Sequence, residues 1–119
     1  MCILVVEDDF LIRMILVEEL LDAGYEVREA ESGDQAIDLL DGIDPPLELL
    51  VTDIHMPGAH SGIEVAALVR ERLPTIPIIF TTGRPDALIQ NNSLKPGHYL
   101  IRKPYVPAEI ISRIQQLLA

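Results

Sequence analysis

Apolar and polar positions follow two rhythms along this chain. Short, nearly unbroken apolar runs rich in Val and Ile cover Cys2–Val6 and residues 48–52, 77–81 and 99–102. Each is about as long as a strand, and an unbroken apolar run of that length suits a strand buried on both faces. A weaker run, Glu26–Ala30, follows Gly24-Tyr25 and has Val27 as its main apolar anchor. Between the runs, apolar residues recur at three- and four-residue steps, the spacing of one helix face.

The first helical segment carries Leu11, Ile15, Leu16, Leu20 and Leu21 as its core stripe, with Gly24 placed to end it. Ser32 or Gly33 opens the second, residues 34–41, which shows Ala36, Ile37 and Leu40 on one face. The third spans about residues 62–73 and stops at Pro74, and a short fourth covers about residues 85–90. Pro107 opens the last, with Ile110, Ile111, Ile114, Leu117 and Leu118 as its apolar positions. Its core face comes first, and apolar residues left over are candidates for a dimer or docking face. Five strands alternating with five helices predict an α/β chain, a doubly wound five-stranded parallel sheet covered on both faces. No repeat or linker divides the chain, so residues 1–119 are expected to form one domain. In such sheets the active groups gather at the carboxyl ends of the strands, beside the reversal in strand order.

Composition narrows the classes of function. Nearly half of the 119 residues are apolar, and a chain of this size buries about two-thirds of its unfolded surface, so it needs no staple. The lone cysteine, Cys2, has no internal disulfide partner and fits a reducing cytoplasm. No apolar stretch approaches the roughly 18 residues of a membrane span, and no signal-like segment opens the chain. A formal charge of −10 argues against direct contact with nucleic acid or an anionic membrane. It suits a bound cation or a basic partner.

The strand ends carry the chemistry. The first run ends in Glu7-Asp8-Asp9, the third in Asp53, the fourth in Thr81-Thr82-Gly83 and the fifth in Lys103-Pro104. Taken singly, Asp9 is as readily a helix cap, Asp53 a turn residue, Thr82 a strand-end hydroxyl and Lys103 a solvated surface group. Together they converge acids, a hydroxyl and an ammonium on one pocket. Clustered carboxylates repel one another, and a hard cation such as Mg²⁺ relieves the repulsion while accepting phosphate oxygens. One carboxylate can then attack phosphorus to give an aspartyl phosphate, with the lysine and hydroxyl holding the other oxygens. His55, Met56 and His60 share a loop, but their spacing fixes no soft-metal geometry.

With these residues in place, the chain resembles the receiver domains of two-component response regulators over essentially its whole length. The resemblance rests on "ILVVEDD" (3–9), "LLVTDIHMPG" (49–58), "IPIIFTTG" (76–83) and "LIRKPY" (100–105), in that order and spacing. It implies the flavodoxin-like, CheY-like (βα)5 fold with strand order 2-1-3-4-5. It also implies that Asp53 is the phosphoacceptor. Asp8 and Asp53 would be direct Mg²⁺ ligands, Glu7 would act largely through water, and the backbone carbonyl of His55 would be the third protein ligand. Thr82 and Lys103 would bind the phosphoryl group, and the Lys103-Pro104 peptide would be cis. Phosphate would come from a histidine kinase or a histidine phosphotransfer protein, and the phosphorylated surface would engage a downstream protein target.

The chain also departs from the family pattern. Leu100 stands where many receivers carry an aromatic switch residue, and Tyr99 should point to the opposite face. Phe80-Thr81-Thr82-Gly83 resembles the Phe-Ala-Thr-Gly stretch of a stand-alone subset, the FATGUY group, with Arg84 in place of its following aromatic. The loop from Met56 to Gly62 is one residue longer than the common form and has Ser61 before the glycine. The leading expectation is a single-domain response regulator acting as a shuttle, a sink or a protein-binding switch. A pseudo-receiver that binds partners without phosphorylation is the alternative. An aspartyl-phosphate phosphatase is disfavoured, because His55 stands where those enzymes place a second aspartate.

Overall fold

The computed structural model describes residues 2–42, 47–56, 58–83 and 96–118. The strands are β1 (Cys2–Val6), β2 (Glu26–Ala30), β3 (Leu47–Asp53), β4 (Ile78–Thr82) and β5 (His98–Arg102). Four helices join them among the described residues: α1 (Phe10–Asp22), α2 (Gly33–Leu40), α3 (Gly62–Arg72) and α4 (Pro107–Leu118). The helix expected over residues 85–90, and Arg84 before it, lie outside the described residues. All strand pairs are parallel, in the order β2-β1-β3-β4-β5. The sequence order therefore reverses between β1 and β3, where a doubly wound sheet opens its cleft.

Side-chain alternation along the strands splits the core in two. Leu4, Val6, Leu50, Ile78 and Phe80 point to the face covered by Ala36 of α2 and Val65, Ala66 and Val69 of α3. Ile3, Val5, Leu49, Val51 and Ile79 point to the other, beneath Leu16, Val17 and Leu20 of α1 and Ile110 and Ile114 of α4. Every residue of β1 is buried, as its unbroken apolar run predicts, and Cys2 lies there as an inert thiol pushed up by burial. Tyr99 and Leu100 do fall on opposite faces, the tyrosine with the second cluster and the leucine with the first.

The orientation of α1 differs from the expected stripe. Its buried residues are Arg13, Leu16, Val17 and Leu20, whereas Leu11, Ile15 and Leu21 are exposed. Apolar residues surround most of this helix, so spacing alone left its inward face open, and contacts with β2 and α4 chose it. The last helix differs the other way. Its Ile111, Leu117 and Leu118 pack partly against the core, and no large apolar residue on it is exposed; among the described residues most of the exposed large apolar side chains lie on α1.

Local signals fix where the helices start. The Asp9 carboxylate accepts hydrogen bonds from the Leu11 and Ile12 amides and caps α1, which settles its role. Ser32 caps α2 through the Gln35 amide. Ser61 and Glu64 form a reciprocal capping box at α3, so the serine that replaces the common acid keeps a cap there. Gly62 is required by close approach, since a β-carbon there would collide with the Asp53 carbonyl oxygen. The start of α3 thus sits directly on the end of β3.

Candidate functional site

Three strand ends bring together four charged side chains. Lys103 lies just beyond β5, and its Nζ donates to Glu7 Oε1 at 2.7 Å and to Asp53 Oδ2 at 2.8 Å. Glu7 and Asp53 are almost completely buried, at 3% and 6% exposure, while Asp8 beside them is open to solvent. The second Glu7 oxygen accepts the Asp9 amide at 3.0 Å, so both of its oxygens already have partners. The lysine is threaded into place by backbone geometry. The Lys103 amide donates to the Thr82 carbonyl at 2.8 Å, and the Lys103-Pro104 peptide is cis, as expected.

Electrostatics follow from this burial. Burial pushes the Glu7 carboxyl up to about 7, against the pull of Lys103 and the Asp9 amide, while Asp8 and Asp53 add to the push. Burial also opposes charge on Lys103, but its hydrogen bonds to Asp53 and Glu7 outweigh this and raise it to about 12. One ammonium thus serves two buried carboxylates, with Asp8 outside the arrangement. Burial, reinforced by the Glu7 charge, likewise raises the half-buried Tyr105 phenol to about 12.

An open cavity of about 440 Å³ lies over this group, lined by Asp8, Asp9, Ile12, Asp53, His55, Gly83 and Lys103. Asp53, Asp8 and Lys103 therefore face it, as the sequence suggests. Thr82 ends β4 beside the site and is fully buried, and it is Gly83 that reaches the cavity wall. The His55 amide approaches Asp53 Oδ1 at 3.4 Å. The other loop residues diverge, Met56 packing against the core and His60 turning to α2. The soft-metal trio is thus dispersed. Oxygens of Glu7, Asp8 and Asp53 all lie within 4.8 Å of one another, forming the acidic cluster found among the described residues. An all-carboxylate donor set of this kind fits a hard cation such as Mg²⁺.

The lengthened loop has its own anchorage. The Asp34 carboxylate, at the start of α2, meets His60 Nδ1 at 2.6 Å. Bonding to His60, with help from the Ala59 and His60 amides, holds the Asp34 carboxyl below its usual range. Gly33 leaves room for the His60 carbonyl, and Gly58 adopts φ +108° facing Asp34. The His60–Asp34 contact ties the loop to the start of α2.

Sequence reasoning missed two residues at the site. Arg13 stands outside the expected stripe of the first helix, although it lies three, four and seven residues before Leu16, Val17 and Leu20, the spacing of one face. Tyr105 follows the Lys-Pro pair, but only the fold turns it toward the acids.

Comparison with known proteins agrees with this geometry. The family model described as the response regulator receiver domain matches residues 3–115. The transcriptional regulatory protein ResD of Bacillus subtilis is 36% identical over 98% of this chain and 47% of its own length. The chain spans about half the length of the first curated relatives it matches. The response regulator receiver protein CpdR of Brucella abortus is 34% identical over 98% of this chain and 95% of its own length. Among solved structures, the response regulator protein TrrA of Thermotoga maritima, in complex with Mg²⁺-BeF, is 32% identical with a TM-score of 0.77, covering 98% of this chain and 97% of that one. The acids at the ends of β1 and β3, the lysine after β5 and the 2-1-3-4-5 sheet thus have one common explanation: this chain belongs to the response regulator receiver domain family of two-component systems.

Proposed function

We propose that the chain is a phosphorylation-controlled switch with Asp53 as phosphoacceptor. The observation that carries this reading is Lys103, whose ammonium bridges Glu7 and Asp53 at 2.7 and 2.8 Å at the edge of an open cavity. An Asp53 oxygen attacks the phosphorus of a phosphohistidine, the P–N bond breaks, and the imidazole leaves and takes a proton. Asp8, Asp53 and the His55 carbonyl would hold Mg²⁺, with Glu7 acting through water. When bound, the metal would neutralise charge on the acids and the phosphoryl oxygens. Lys103 and Thr82 then hold the transferred group, which requires the lysine to exchange a carboxylate for a phosphoryl oxygen.

The donor is a histidine kinase or a histidine phosphotransfer protein. Its docking surface is the apolar side of α1, where Phe10, Leu11, Met14 and Ile15 are exposed at 62%, 61%, 37% and 47%, next to the cavity. Residues 1–119 act as one receiver unit in the cytoplasm, signalling through protein contacts. The net charge of −10 supports signalling by these residues without direct DNA contact of their own. No helix among the described residues is long and apolar enough to cross a membrane.

With Mg²⁺ and acetyl phosphate, the wild-type chain should gain one acid-stable, base-labile phosphoryl group, read by intact mass. Asp53→Asn should gain none. Equal labelling of the two proteins, or no labelling of the wild type, overturns the reading.

A further inference from the structure

Arg13 is 8% exposed, a rare depth for an arginine, and no part of the proposed phosphoryl chemistry uses it. Its Nη1 donates to the Glu7 carbonyl oxygen at 2.8 Å in a buried bond, and its Nε donates to Glu29 Oε1 at 3.1 Å. The guanidinium carbon lies 5.6 Å from the centre of the Phe10 ring. The Glu7 amide is held on the other side of that residue by the Ala30 carbonyl at 3.0 Å.

The carbonyl that Arg13 grips belongs to the peptide unit joining Glu7 to Asp8. A peptide is planar, so fixing its oxygen fixes the ψ angle of Glu7 and the φ angle of Asp8 together. Those angles aim the two adjacent acids, one inward to Lys103 and one outward to the cavity. Three residues, Glu7, Asp8 and Asp9, bridge β1 to α1. Arg13 folds back from the first turn of the helix across that bridge. Only a planar fork on a long stem reaches both the carbonyl and the Glu29 carboxylate, and lysine has a single ammonium to offer.

We infer that Arg13 is a positioning residue for the acidic pair: by clamping the Glu7-Asp8 peptide it sets the carboxylate geometry on which divalent-cation affinity depends. Groups that orient metal ligands from behind are typically worth about 10- to 100-fold in affinity. The inference rests on the reading of the acids as a Mg²⁺ site, and the two can fail separately.

The test uses the full chain and MgCl₂ alone, followed by amide NMR shifts, with thermal melts on the same samples. Wild type should saturate with Mg²⁺, and if it does not, the metal-site reading fails. Arg13→Met should bind Mg²⁺ at least about 10-fold more weakly, and Arg13→Lys should recover part of that loss by keeping one bond to the carbonyl. Glu29→Gln removes only the charge of the outer partner. It should lower the melting temperature slightly and leave Mg²⁺ affinity within about twofold. Without metal, Arg13→Lys should already shift the Asp8 and Asp9 amides, a readout that needs no Mg²⁺ binding. A folded Arg13→Met with wild-type affinity overturns the inference. If Arg13→Met does not fold, Arg13→Lys decides, and unchanged Asp8 and Asp9 shifts with unchanged affinity overturn it equally.

Discussion

Replacing Lys103 with methionine isolates what the central ammonium does before any phosphoryl group arrives. The substitution keeps most of the length of the side chain and removes the one cation among the described residues that serves Glu7 and Asp53. Deleting one partner of a buried ion pair costs about 3–5 kcal/mol, because it leaves uncompensated charge behind. The Lys103 side chain is 19% exposed, so some of that cost is screened and the lower end, about 3 kcal/mol, is expected. For a chain of this size, that lowers the melting temperature by about 10 °C in metal-free buffer near pH 8.

The pH dependence has a definite sign. Glu7 titrates near 7 in the folded protein against an ordinary value of 4.5, so between those limits the folded state holds a proton that the unfolded chain has released. Its contribution to stability therefore falls as pH rises through that window. Lys103 titrates near 12 against an ordinary value of 10.5, so its contribution is fully present below 10.5 and is lost only as pH rises through 12. Without the lysine, the Glu7 carboxyl moves higher still. The stability lost in Lys103→Met should therefore shrink as pH is lowered toward 6, where Glu7 holds its proton. Added Mg²⁺ should restore much of it near pH 8, and so should a second substitution, Glu7→Gln. Differential scanning calorimetry over that pH range, with and without Mg²⁺, gives all these comparisons. A variant that melts within about 2 °C of wild type near pH 8 without metal refutes the reasoning, as does a loss that does not change with pH.

Two further predictions test the surroundings of the site. Gly62→Ala should cost about 3 kcal/mol in chemical denaturation, because its methyl group overlaps the Asp53 carbonyl. Phosphorylation of that variant by acetyl phosphate should also slow, since relief of the overlap must move the end of β3. Ile15→Asp, at an exposed position on α1, should leave acetyl phosphate labelling and the melting temperature close to wild type while reducing transfer from a cognate phosphohistidine protein about tenfold. Equal transfer from that donor would remove α1 as the docking surface.

Amino-acid order alone located the strands, the near-complete burial of β1, β3 and β4 and the acids at the tips of β1 and β3. By contrast β5, expected to be buried on both faces, is half-exposed because it lies at the sheet edge. A strand buried on both faces must be apolar throughout, so a charged residue at its tip stands out against the run. Asp53 after Leu49-Leu50-Val51-Thr52 and Glu7-Asp8 after Ile3 to Val6 are legible for that reason. The alternation of elements limits the topology, and the carboxyl-end rule then says where those acids must meet. Capping is local too, so Asp9, Ser32 and Ser61 could be read within a few residues.

Tertiary structure decided what depends on which residues share a surface. The apolar character of α1 extends around most of the helix, so only packing chose the face at Leu16, Val17 and Leu20 and left Leu11 and Ile15 outside. Packing also drew Arg13 inward, since its charge is tolerated there only where the Glu7 carbonyl and Glu29 accept its hydrogen bonds. The lengthened loop looked like an irregularity until the fold set His60 against Asp34, 26 residues away in sequence. The state of Glu7 is equally a matter of three dimensions. Its side chain is that of any glutamate, and its position near neutrality comes from burial, aided by the Asp53 charge and opposed by Lys103, which only folding brings together.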